Sequence, residues 1–171
     1  MKCENCGSGK FMDSIEVKNE NTPYCCNEHL CIFINGIRLD IILSDVDENY
    51  FGLVPSLLNW YDESSLSSIK EKQYIWSQAK LESGIKILPI LLCPDDFDFS
   101  CTTIVVEVID NNKTVSWSRF GVDITEFSAD EVDLPKYIGK KVNWFTKIKP
   151  FVFLKNEYSD CIKLFEANLS L

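Results

Sequence analysis

Histidine is almost absent from this 171-residue chain, which has only His29. Catalysis that needs two histidines is therefore excluded. Glycine (7) and proline (6) are sparse, which excludes collagen-like and low-complexity classes. Positive charge is not in excess, because 17 Lys and Arg against 26 Asp and Glu leave a net charge of −9. That sign disfavours nucleic acid as a partner, since phosphate-binding surfaces are strongly basic. Long apolar runs are missing as well. IKILPILLC stops after 9 residues, short of the ~20 needed to cross a bilayer. The polar N-terminus, MKCENCGSGKFMDSIEVKNEN, has no apolar h-region of a signal peptide. A cytoplasmic protein with no membrane partner is the expectation.

What is present fits an ordinary globular chain, 46% apolar and 12% aromatic. A chain of this length can bury about 70% of its unfolded surface and needs no covalent staple. In the cytosol thiols stay reduced, so the 8 Cys are not read as four disulfides. Five of them (Cys3, Cys6, Cys25, Cys26 and Cys31) fall in the first 31 residues, which points to metal binding there. The one compositional boundary separates a Cys-rich segment, 1–31, from a domain, 32–171, that carries almost all the apolar stretches. No linker marks it, so the two parts are expected to pack together.

The segment CIFINGIRLDIIL reads as two β runs joined by Asn35-Gly36, a pair suited to a type I′ hairpin turn. Residues 50–61, broken by Pro55, suggest a loop or short helix. Leu66, Ile69, Gln73, Trp76 and Ala79 follow helical spacing, with Gly84 as the stop. Ile85 to Cys93 reads as a strand in which Pro89 demands an edge or a bulge. CPDDFDFSC is a loop, and Cys101 to Ile109 is the clearest strand. Asp110 to Lys113 turns the chain into Thr114–Phe120. A further β region spans Val142 to Leu154, interrupted by Pro150. Tyr158, Cys161, Ile162, Phe165 and Leu169 share one face of a C-terminal helix. The sum is an α+β fold, with a largely antiparallel sheet, flanking helices and a small N-terminal zinc knuckle.

Cys3 and Cys6 form C-x2-C followed by Gly7, and YCCNEHLC follows nineteen or so residues later. Zinc takes four N or S ligands in a tetrahedron. C-x2-C supplies two from one turn, and a second Cys/His pair closes the shell. This arrangement resembles the treble-clef and zinc-ribbon families over residues 1–31. The resemblance implies Cys3, Cys6, Cys25 and His29 as ligands of a structural zinc, with Cys26 or Cys31 as exchangeable alternatives. CGSGK does not complete a phosphate loop, because Glu4 and Phe11 stand where Gly and Ser or Thr are required.

Asp95, Asp96 and Asp98 crowd one loop but lack the calcium-loop pattern; the plain alternative is a solvated turn. Cys93 and Cys101 flank that loop and read as small buried hydrophobes. Trp117 and Arg119 alternate on VSWSRFG with Phe120 behind, so Arg119 could stack on an aromatic ring. Charge is segregated along the chain. Residues 91–133 hold ten acids and two bases, and residues 134–155 hold six Lys and no acid. Either these segments neutralise each other or the acidic one steers a basic partner.

The stretch from Ile87 to Asp123, ILPILLCPDDFDFSCTTIVVEVIDNNKTVSWSRFGVD, resembles small bacterial immunity proteins of polymorphic-toxin systems. That resemblance implies a non-catalytic protein that binds and blocks one cognate toxin, for which a nuclease with a basic cleft is the candidate class. Asp95, Asp96, Asp98, Asp130, Glu131 and Asp133 form the expected contact set. The alternatives are a zinc-ribbon adaptor touching nucleic acid or a transcription or translation partner, a metal-dependent hydrolase using the Asp95–Asp98 loop, and a plain structural protein.

Overall fold

The computed structural model describes residues 11–59, 64–126 and 138–169. The architecture is α+β with antiparallel sheets, as the sequence pattern predicts. A three-stranded sheet is built from β1 (Ile15–Glu20), β2 (His29–Ile34) and β3 (Ile37–Arg38) in that order. A larger sheet runs β4 (Val54–Pro55), β5 (Ile85–Leu92), β6 (Thr103–Asp110), β7 (Thr114–Asp123) and β8 (Val142–Trp144). β9 (Phe151–Leu154) pairs with the first half of β7, leaving the second half to β8. Among the described residues there are three α-helices, α1 (Leu39–Ser44), α2 (Leu66–Ala79) and α3 (Lys155–Asn168), and a 3-10 turn at Glu48–Tyr50.

Local chemistry explains these elements. Asn35 and Gly36 both take positive φ (52° and 80°), the conformation that lets a two-residue hairpin follow the strand twist. The expected second β run after this turn stops at Arg38. Leu39 and Leu43, four apart and both buried, instead share one face of α1. Ser65 caps α2 by accepting the Ser68 backbone N–H. This helix ends at Ala79, ahead of Gly84, and buries Glu71, Ile75, Trp76 and Ala79. Gln73, expected on the inner face, is exposed.

Pro89 sits where a bulge is required, because the β5–β6 register shifts between Pro89 and Leu91. A second shift, between Glu107 and Val108 of β6, falls opposite Trp117 and Arg119. It changes which side chains face inward: Trp117 and Phe120 are both buried while Arg119 is exposed, so simple alternation fails here. Arg119 stacks over Trp144 at 4.0 Å and pairs with Glu107 at 2.8 Å.

One core unites both sheets. Trp117 meets Phe120, Phe153 and Tyr158 edge to face, with ring centroids 5.2–6.2 Å apart. On α3, Tyr158, Cys161 and Phe165 are buried, and the Cys161 thiol donates to the Ile15 carbonyl of β1. Ile15, Ile32 and Ile34 of the small sheet belong to the same core. β2 runs through residue 31, so the compositional boundary drawn there falls inside a strand. Among the described residues, no helix is long and apolar enough to cross a membrane.

Candidate functional site: a thiol-rich cleft beside an acidic loop

The loop between β5 and β6, residues 93–102, is held at its base by the Cys93 N–H donating to the Thr102 carbonyl. This bond brings Cys93 and Cys101 next to one another. Inside the loop the Phe97 N–H donates back to the Cys93 carbonyl at 3.1 Å, with Phe97 in the left-handed region (φ 53°). Asp98 turns its carboxylate onto the Ser100 N–H and hydroxyl, an Asx turn that rigidifies the second half. Asp95 and Asp96 are exposed and Asp98 is half-buried. Among the described residues, none of the three is in an ion pair. The acidic and lysine-rich segments lie side by side where β7 pairs with β8 and β9, and Lys155 of the second pairs with Asp110 of the first at 2.7 Å.

The three carboxylates do not converge on one point. Instead the ligand atoms of Cys93, Asp96 and Cys101 all lie within 4.8 Å of one another, a group that could hold a metal ion. Cys101, expected as a small buried hydrophobe, is exposed because it precedes β6 and belongs to the loop. Burial pushes the Cys93 thiol up, opposed by the Asp95 backbone N–H that donates to its sulfur.

A cleft of about 410 Å³ lies beside this loop, lined by the run Tyr24–His29 together with Pro94 and Phe97. It brings together two segments some seventy positions apart in the chain. His29 is buried at the start of β2, and its Nδ1 faces the Asn27 carbonyl at 3.1 Å. Metal-ligating histidines commonly make such a contact through their other ring nitrogen. Cys25 is half-buried and Cys26 exposed. Cys31 points into the protein, its thiol pushed up to about 12 by burial. Among the described residues, Cys25, Cys26, His29 and Cys31 do not supply a three-ligand group. Cys3, Cys6, Asp130, Glu131 and Asp133 lie outside the described residues.

A second, smaller cleft of about 240 Å³ borders the first and is lined in part by Tyr24, Glu48, Phe51, Cys93 and Asp95. Tyr24 lies on Gly52, whose φ is +83° and where an added Cβ would come within 2.4 Å of the ring. Gly52 is held in turn by buried Asp40, which accepts its N–H at 2.8 Å. The same carboxylate takes two bonds from Arg38, at 2.6 and 3.0 Å, and Arg38 reaches the Asn21 carbonyl. Sequence reasoning passes over this brace because Arg38 and Asp40 fall where a continuing strand is expected.

Glu71 is the other group that sequence reasoning passes over. It is buried on α2, and burial raises its carboxyl to about 7, with nearby Asp98 adding to the rise and the Phe99 N–H opposing it. Its signal was its place four residues before Ile75 and eight before Ala79, on the inner face of the helix. No family model, no curated protein and no solved structure matches this chain.

Proposed function

We propose that this chain is a non-catalytic, cytoplasmic binding protein of the immunity type, which neutralises a cognate bacterial toxin by presenting acidic surface to it. One observation carries this reading. Glu48 and Asp95 line the smaller cleft with the exposed aromatics Tyr24 and Phe51, and among the described residues no Lys or Arg lines it. Aromatic side chains supply anchors at protein interfaces, and unpaired acids steer and select a basic partner. Asp96 and Asp98 extend the same acidic rim, and Asp130, Glu131 and Asp133 complete the contact set. A structural zinc held by Cys3, Cys6, Cys25 and His29, with Cys26 as an exchangeable thiol, would fix the Tyr24–His29 wall of the larger cleft. The His29–Asn27 contact supports that ligand set.

The test is a search beside this chain's gene for one that encodes a toxin domain, followed by co-expression of the two. A one-to-one complex that survives size exclusion, and is weakened by Glu48→Lys with Asp95→Lys, is the expected result. A metal-dependent hydrolase is the second reading, favoured by the position of Asp96 beside two thiols. Loss of turnover of a small substrate in Asp95→Asn/Asp98→Asn would replace binding with catalysis.

A further inference from the structure

We infer that Cys93, Asp96 and Cys101 form a zinc site of their own, with three protein ligands and a fourth position left to solvent, distinct from the N-terminal ligand set. Zinc bonds thiolate sulfur at about 2.3 Å and carboxylate oxygen at about 2.0–2.2 Å. A tetrahedral ion therefore needs its ligand atoms about 3.5–3.8 Å apart. The three atoms here already lie within 4.8 Å of each other, so a shift of about 1 Å brings all three to the spacing a tetrahedral ion requires. Two sulfurs exclude calcium and magnesium, which take oxygen ligands, and select a borderline or soft cation.

The loop is built to bring these ligands together. The Cys93 N–H bond to Thr102 closes its base, and the Asp98 bonds to Ser100 occupy the neighbouring carboxylate. Asp96 is the carboxylate that stands within 4.8 Å of both thiols. Asp96 and Cys101 are exposed, which provides an entry path. A site with three protein ligands keeps an exchangeable position, unlike a closed structural site.

The experiment uses the full reduced chain, stripped of metal and titrated with Zn²⁺ alone, with bound metal counted per chain. Cys93→Ser/Cys101→Ser is compared with the unaltered chain, and circular dichroism verifies its fold. Two equivalents falling to one in the variant, or one falling to none, supports the site. One equivalent in both supports the N-terminal ligand set and overturns this one; none in either overturns both. Asp96→Asn leaves the thiols in place and should weaken the site at least about tenfold, since even outer-shell changes cost 10–100-fold. Asp95→Asn, with the same loss of charge, should leave it unchanged. Equal affinities for the two Asn variants, or a Cys93–Cys101 disulfide that forms in place of metal binding, overturns the proposal. Cobalt substitution gives a further readout, because thiolate-to-metal absorption from this site must vanish in the double Ser variant.

Discussion

Replacing Glu71 by Gln should make the protein more stable, and only above acidic pH. The folded-state carboxyl sits near 7 and its ordinary value is near 4.5. Between those values the folded state holds a proton that the unfolded state has lost. Stability from this group is therefore complete below about pH 4.5 and declines as pH rises through 7. The full difference of roughly 2.5 units is about 3 kcal/mol at 1.36 kcal/mol per unit. Relaxation and water entry around the buried charge reduce this to on the order of 2 kcal/mol. Gln keeps an oxygen to accept the Phe99 N–H and never ionises, so it escapes both burial of charge and repulsion by Asp98. Urea unfolding followed by tryptophan fluorescence, from pH 4.5 to 8, measures the difference between the two proteins. It should be near zero at pH 4.5 and about 2 kcal/mol in favour of Gln at pH 8. A difference that does not change with pH, or a Gln variant that is weaker at pH 8, would refute the reasoning.

Other perturbations probe the walls of the two clefts. Asp40→Ala leaves Arg38 largely buried without its carboxylate and should cost about 3–5 kcal/mol in urea unfolding, whereas Asp40→Ala/Arg38→Met should recover most of that loss. Gly52→Ala and Gly36→Ala impose similar backbone strain, at φ +83° and +80°, but only Gly52 has a ring in the way. The Gly36 variant should lose about 1 kcal/mol and the Gly52 variant distinctly more, with Tyr24→Ala relieving the excess. Alkylation at pH 8, read by mass spectrometry, should label exposed Cys26 and Cys101 quickly. Cys31 and Cys161 should resist, because burial lifts their thiols to about 12 and about 11; rapid labelling of Cys31 would contradict the burial argument.

Strong local signals carried most of the fold. The Asn35-Gly36 turn, the β-branched run of β6 and the apolar face of α3 each have one physical solution, and the structure adopts it. Periodicity misled at α1, where LDIIL is too short to separate a strand from one helical turn and a half. Alternation also breaks between Trp117 and Arg119, where Ser118 is an extra residue in β7 that nothing in VSWSRFG announces, although the stacking expected of Arg119 is found, on Trp144. The site was legible only in pieces. The cysteines and aspartates of the 93–101 loop were visible, but which carboxylate joins the thiols depends on how the loop is folded, which spacing alone does not give. The approach of Tyr24–His29 to Pro94 and Phe97 is a long-range contact, and neither segment carries a local signal of the other. The Arg38–Asp40 brace and the buried Glu71 both depend on tertiary partners, Asn21 and Gly52 for one and Phe99 for the other.

The most direct measurement is the rate at which this chain associates with the toxin domain that the proposed function requires as its partner, at low and at physiological salt. If acidic surface guides the encounter, the rate falls as salt rises, and Glu48→Lys/Asp95→Lys lowers it about tenfold at low salt. A rate indifferent to both salt and charge reversal would contradict the account.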